Sequence, residues 1–402
     1  MNATPLRIGI AGLGRAFTMM LPTFVQDARI KVVAATDPLA QARSRFVSDF
    51  GGTVHDTVEA LCADPQVQVV YIATPHQMHC QHVCVAAAHG KHVLVEKPMA
   101  ITLDECSQMV QACRSAGVHL IVGHSHSFDT PILRLRAMLD SGEYGTVRMI
   151  AALNYTDFLY RPRRRDELDT RLGGGVVFSQ GAHQVDIVRL LGGGLVRSVR
   201  AFTGNWDPAR PTEGAYSALL GFEGGAFCSA TYSGYAHYDS DRLMGNIGES
   251  GVPKAEADYG AARRRLVVAQ TAEQEATLKA DRNYGGARYA PPPSAGEMLH
   301  PHFGHMVVSC DRADLHPTPG GISIFTDTAV HFEALPPPRV PRSEVLDELI
   351  DSVIGGRPAL HIGEWARATT EVCLAILDSA RSGAERGLRY QVAPGHSHRS
   401  AD

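Results

Sequence analysis

Over the first 125 residues, short apolar runs alternate with stretches of helical spacing. Arg7–Ala11, Lys31–Thr36, Val67–Ala73, His92–Val95 and His119–Gly123 read as strands, several apolar throughout, and Val54 opens a further short one. Residues 15–27, 39–50, 78–89 and 103–116 carry helical spacing, and 57–62 a helical turn. Strands apolar on both faces belong to a parallel sheet covered on both sides. Right-handed crossovers then predict an α/β, Rossmann-like doubly wound sheet over residues 1–125.

Beyond that point the pattern changes. A helix at 131–141 precedes partly alternating strands at 147–155, 196–203, 215–222 and 226–235, with a buried helix at 174–191 among them. This predicts an α+β domain over residues 126–390 with a large, mostly antiparallel open sheet. Weak periodicity over 240–300, with Pro291-Pro292-Pro293, predicts a long excursion. Helices are expected at 342–355 and 363–385, and a disordered tail at 391–402.

At 402 residues the chain has room for these two domains, with 44% hydrophobic and 20% charged residues. The 38 Lys+Arg against 42 Asp+Glu give a net charge of −4, which argues against a nucleic-acid partner. No apolar run long enough for a membrane span occurs. Met1–Pro5 leads straight into Arg7-Ile8-Gly9-Ile10, leaving no room for a signal peptide, so a cytoplasmic protein is expected. The eight cysteines include no Cys-x-x-Cys pair, and Cys80 and Cys84 lack a second pair at zinc spacing. Reduced thiols and no metal are expected.

Gly12-Leu13-Gly14, followed by Arg15 and Ala16, joins the first strand to the first helix. Bare backbone there lets a pyrophosphate reach the helix N-terminus. Phe17 holds the third glycine position, so a plain tight turn stays open as the alternative. Asp37 ends the second strand, where a carboxylate accepts ribose hydroxyls and repels a 2′-phosphate; this favours NAD, with Arg15, Arg43 and Arg45 keeping NADP open.

Several motifs resemble the Gfo/Idh/MocA oxidoreductase family. They are Gly9-Ile10-Ala11-Gly12-Leu13-Gly14, Ala73-Thr74-Pro75, His79, Gly90 to Pro98 with Glu96-Lys97-Pro98, and Gly173-Gly174-Gly175 leading to Gly181-Ala182-His183. The resemblance implies that Lys97 deprotonates a substrate hydroxyl and that His183 relays or accepts the proton. It also implies cofactor contacts from Thr74, Pro75, His76, His79, Glu96 and Lys97, and a homo-oligomer. Ser179 stands where members with Asp-x-x-x-His carry a carboxylate, and His76 where many have Asn.

Tyr160-Arg161-Pro162-Arg163-Arg164-Arg165, with Arg171, gathers arginines before the glycine triplet. Guanidinium forks match carboxylates, though a solvated loop fits the same run. With Gly123-His124-Ser125-His126-Ser127-Phe128-Asp129 and Asn154 to Tyr160, this resembles the branch that oxidises cis-4,5-dihydroxy-4,5-dihydrophthalate to 4,5-dihydroxyphthalate with NAD+. The resemblance implies a dicarboxylated aromatic dihydrodiol held by Arg161, Arg163 or Arg164, with His124, Tyr160 and Ser179 lining the pocket. His300-Pro301-His302-Phe303-Gly304-His305 offers His302 as a further lining residue. A sugar or cyclitol dehydrogenase, or a dinucleotide sensor without chemistry, are the alternatives.

Overall fold

The computed structural model describes residues 4–290 and 298–395. Six parallel strands, β1 (Leu6–Ala11), β2 (Ile30–Thr36), β3 (Thr53–Val54), β4 (Val69–Ile72), β5 (His92–Val95) and β6 (Leu120–Val122), stand in the order β3-β2-β1-β4-β5-β6. The crossovers carry α1 (Arg15–Gln26), α2 (Ala40–Phe50), α3 (Val58–Ala63), α4 (His79–Ala88) and α5 (Leu103–Ala116). Alternate strand residues feed two separate cores. Val70, Ile72, Val93 and Val95 face α3, α4 and α5, while Ile8, Ile10, Tyr71 and Leu94 face α1 and α2. That double burial is why these strands read as unbroken apolar runs.

The second sheet has nine strands. After α6 (Thr130–Asp140) come β7 (Val147–Tyr155), α7 (Ala182–Leu191), β8 (Val196–Gly204), β9 (Ala215–Phe222) and β10 (Phe227–Ser233). Two short helices, α8 (Ala261–Leu266) and α9 (Ala272–Ala280), precede β11 (His305–Cys310), β12 (Ala313–Thr318), β13 (Gly321–Thr326) and β14 (Val330–Ala334). α10 (Ser343–Val353), α11 (Gly363–Ser382) and β15 (Arg386–Gly387) complete the chain. The order is β14-β13-β12-β11-β7-β10-β9-β8-β15, antiparallel except for the β7–β10 pair. One face packs under α6, α7 and α11; the other carries the outward positions of each strand.

The structure departs from the sequence reading in several places. β11 to β14 and β15 were not anticipated. Pro317 lies within β12 and β14 is largely exposed, so neither apolar alternation nor length marks them. The helix expected over 174–191 begins as a π-helical turn at Val177–Gly181 before α7 starts. Within the excursion, the Tyr284 N–H donates to Thr18 Oγ1 (2.9 Å) and the Tyr284 ring meets Phe17 edge-on at 5.1 Å. Pro291-Pro292-Pro293 and residues 396–402 of the expected tail lie outside the described residues. Gln391 and Val392 are fastened rather than loose, because buried Arg189 donates to Gln391 Oε1 (3.0 Å) and to the Val392 carbonyl (3.4 Å).

Candidate active site

The glycine loop forms at the carboxyl edge of the first sheet. Gly12 has φ of +96°, and a Cβ there would stand 2.8 Å from the Ala73 carbonyl oxygen, so only glycine fits. Gly14 caps α1 without any side-chain bond, and the space over its Cα is open. The free N–H groups of α1 thus face an uncovered cradle beside Arg15 and Ala16. Asp37 closes the loop, accepting from the Leu13 N–H (2.7 Å) and the Leu39 N–H (2.8 Å), and each oxygen keeps lone-pair capacity for a ribose hydroxyl. Phe17 replaces the third glycine because its buried ring packs on Phe24 and Tyr284. These residues fit a dinucleotide.

Lys97 leaves β5 through a cis Lys97–Pro98 bond and donates from Nζ to the Ser179 carbonyl oxygen (2.7 Å). The π-turn presents that carbonyl to Lys97, so Ser179 meets the site through its backbone. Burial, with Arg342 and Arg163 adding repulsion, pushes Lys97 down to about 8 against the pull of Glu96 and Glu249. The base expected at this position is therefore available near neutral pH.

His183 is 8% exposed, and its Nδ1 accepts from the His126 backbone N–H (3.4 Å). Burial first, then Lys97, His126 and His124, hold its pKa well below the usual range. The ring is neutral, and the bond at Nδ1 places its proton on Nε2. In this state His183 offers Nε2–H as a hydrogen-bond donor.

Around His183 lies a group that sequence reasoning passed over. Asp129, buried, stands between His126 Nδ1 (2.6 Å) and His124 Nε2 (3.2 Å). Burial alone would raise its carboxyl, but His126 and His124 hold it below the carboxylate range. The His126 and His183 ring centres are 4.8 Å apart, and Phe303 lies within 5.2 Å of both. Glu249 approaches Arg161 Nη1 (3.4 Å) and Asn154 Nδ2 (3.4 Å) from the excursion. A His-x-x-Asp spacing directly after a strand was a visible signal for the first pair; Glu249, in an aperiodic segment, carries none.

Other expected residues are engaged elsewhere. His79 is fully buried between the Thr74 (2.9 Å) and Pro98 (3.0 Å) carbonyl oxygens, so it braces two loops instead of meeting a cofactor. Glu96 accepts from the Tyr71 hydroxyl (2.6 Å) inside the core, and the Thr74 hydroxyl is bonded to His82 (3.0 Å). Pro75 opens the turn carrying His76, which lies against the Gly173 carbonyl oxygen (3.2 Å). Burial, His79 and Lys97 push His76 down to about 3.

The arginine run divides. Arg164 forks onto Asp166, Arg165 pairs with Glu273 and Arg171 with Asp169, all outward, so Arg164 leaves the substrate set. Arg163 lies 3.6 Å over the Phe158 ring and donates to the Phe158 carbonyl oxygen (2.9 Å). The Arg163 Nε has no hydrogen-bond partner among the described residues and its pair with Glu167 is long (3.8 Å), and Arg161 makes only long contacts, to Asp157 (3.3 Å) and Glu249 (3.4 Å). Tyr160 is covered by Arg263 at 4.0 Å. His302 is committed to backbone at both nitrogens, Nε2 to the Ile247 carbonyl oxygen (2.8 Å) and Nδ1 to the Gly304 N–H (3.1 Å), so it supports the wall without a free nitrogen. Arg342, ahead of α10 with φ of 55°, makes no side-chain hydrogen bond among the described residues, and its charge bears on Lys97, His183 and His124.

Residues 6–124 match an oxidoreductase family with an NAD-binding Rossmann fold, and residues 132–252 match the GFO/IDH/MocA C-terminal domain. Over 377 residues the chain is 49% identical to 1-carboxy-3-chloro-3,4-dihydroxycyclohexa-1,5-diene dehydrogenase of Comamonas testosteroni, covering 94% of this chain and 95% of the relative. The chain belongs to the Gfo/Idh/MocA oxidoreductase family. A solved protein of Bordetella bronchiseptica shares the family fold with a TM-score of 0.90 at 40% identity, covering 96% of this chain and all of that one (100%). The WlbA dehydrogenase of Bordetella pertussis, solved with NADH and UDP-GlcNAcA, shares the fold alone, with a TM-score of 0.69 at 18% identity over 96% and 99% of the two chains. The first sheet with its glycine loop is thus the family's NAD-binding domain.

Proposed function

We propose that this protein is an NAD-dependent dehydrogenase of a carboxylated cyclohexadiene cis-dihydrodiol. The observation that carries this is Lys97, bonded to the Ser179 carbonyl oxygen and brought to about 8 beside His183, two strands from the NAD-binding loop at the same carboxyl edge of the sheet. The Comamonas testosteroni relative, named for a carboxylated dihydroxycyclohexadiene, supports the substrate class.

The diol binds with one hydroxyl against both groups. Lys97 Nζ takes the hydroxyl proton while the His183 Nε2–H donates to the same oxygen, so negative charge forms between two donors in a cleft poor in water. Gly12, Leu13, Gly14, Arg15, Ala16 and Asp37 hold NAD, which supplies the hydride acceptor when bound. Arg161, loosely held, exchanges its present contacts for the substrate carboxylate, and Arg342, whose charge bears on Lys97 and His183, is a second cation at the site. Absence of a carboxylate at Ser179 removes the Asp-x-x-x-His pattern of the resembled members and counts against a sugar or cyclitol substrate.

The test is product analysis. Incubation with NAD+ and a carboxylated cis-dihydrodiol should yield one reduced cofactor per aromatic catechol. Cofactor reduction by glucose or myo-inositol, but not by the dihydrodiol, would overturn the reading. cis-4,5-Dihydroxy-4,5-dihydrophthalate belongs in the same panel, since Arg161 and Arg342 together would accommodate a second carboxylate.

A further inference from the structure

Oxidising one hydroxyl requires a single base, yet the cleft presents two. Asp129 sits between His124 and His126, and its short bond to His126 Nδ1 (2.6 Å) fixes that ring with Nδ1–H toward the carboxylate. With Nδ1 so engaged, Nε2 is the ring nitrogen left without a hydrogen-bond partner among the described residues. The turn carrying His126 is rigid: buried Ser127 donates to the Asp186 carboxylate, and its Oγ lies 2.8 Å from His361 Nε2. The same residue meets His183 twice, through its backbone N–H (3.4 Å) and through ring contact at 4.8 Å. Lys97 and His126 therefore border His183 separately; Phe303 lies against the His126 ring at 5.2 Å, and the charges of His126 and Glu249 bear on one another.

We propose that the His126–Asp129 pair is a second acid–base unit, and that the protein also enolises the ring hydroxyketone formed by the oxidation, releasing an aromatic catechol. This rests on the dihydrodiol reading above. His126 Nε2 removes the proton from the ring carbon that still bears a hydroxyl. The C–H electron pair becomes the new ring double bond, and the carbonyl π electrons move to oxygen. That oxygen takes back the proton that Lys97 accepted during oxidation. Lys97 is thereby reset, and the proton on His126 leaves to solvent. No oxidant or reductant is consumed. Two bases thus serve two proton transfers on adjacent atoms of one ring.

The probe is 3-hydroxy-4-oxocyclohexane-1-carboxylate, a stable hydroxyketone that cannot aromatise. The full-length protein in D2O, without cofactor, should exchange the hydrogen on the hydroxyl-bearing carbon at least about tenfold faster than buffer, read by proton NMR. His126→Asn should fall to the buffer rate, Asp129→Asn should lose most of the enhancement over buffer, and added imidazole should restore exchange to His126→Gly. NAD binding by the same preparations shows that they are folded, and imidazole rescue is a response that a merely structural histidine would not give. Dihydrodiol oxidation with no exchange above buffer overturns this proposal alone. Loss of both overturns the dihydrodiol reading as well. Exchange by His126→Asn at the parent rate assigns the step to another base and overturns the role of the pair.

Discussion

At Lys97, burial strips the water that would stabilise an ammonium, and Arg342 and Arg163 add repulsion. The base must be neutral to act, so kcat/KM should rise with pH and level off above about 8. Below that value it should fall about tenfold per pH unit; a profile flat from pH 6 to 9 would remove Lys97 from the proton transfer. Lys97→Met should cost at least ~10²-fold in turnover while leaving NAD affinity within about twofold, checked by calorimetry. Arg161→Gln should raise KM for a carboxylated diol at least ~10-fold and leave an uncharged diol nearly unchanged, because a lost charged hydrogen bond is worth about 1.5–3 kcal/mol. At this scale the sequence exposed what lies in short motifs. Glu96-Lys97-Pro98 and the glycine loop stand at strand exits, where the fold brings chains together. It concealed Arg164, whose partner Asp166 lies two residues away, and Glu249 and Arg342, which reach the cleft only through tertiary folding.

Among the elements, the loop after β1 and the π-turn before α7 do the positioning. Gly12→Ala forces a left-handed residue and a Cβ against the Ala73 carbonyl, so urea denaturation should show a loss of about 1–3 kcal/mol. α7 is tied to α11 by buried Arg189 and Asp186. The Trp365 indole donates to Asp186 (2.7 Å), Thr369 bonds both residues, and Arg189 lies 3.9 Å over the Trp365 ring. Arg189→Met leaves the buried Trp365 and Gly194 carbonyl oxygens and Thr369 without their donor and should cost roughly 1–3 kcal/mol. Because Asp186 also holds Ser127, the His126 turn should loosen with it. Helix periodicity located α7 but not the π-turn, since an extra residue in one turn leaves the apolar pattern intact while moving the carbonyl that Lys97 needs.

For the whole molecule, the parallel half was legible because burial on both faces writes continuous apolar strands. The second sheet was half legible. β7 to β10 alternate, but β11 to β14 carry a proline, histidines and, on the face away from the core, exposed apolar residues. Met149, Phe202, Leu219, Phe227, Phe325 and Phe332 are all exposed, and the strand register sets them on the side away from the helices. We propose a second copy of the chain as the occupant of this face, since an exposed apolar patch of this kind marks an interaction surface. Phe227→Glu combined with Phe202→Glu should convert this oligomer to monomer in sedimentation velocity; an unchanged sedimentation coefficient would move the contact elsewhere.

The most direct test compares kcat/KM with NAD+ for a carboxylated cis-dihydrodiol, its uncharged counterpart and myo-inositol, following reduced-cofactor absorbance. The carboxylated diol should be preferred over the uncharged one by at least ~10-fold, about 1.4 kcal/mol in transition-state binding, with myo-inositol inert. Equal rates for the two diols, or preference for the cyclitol, would contradict the account.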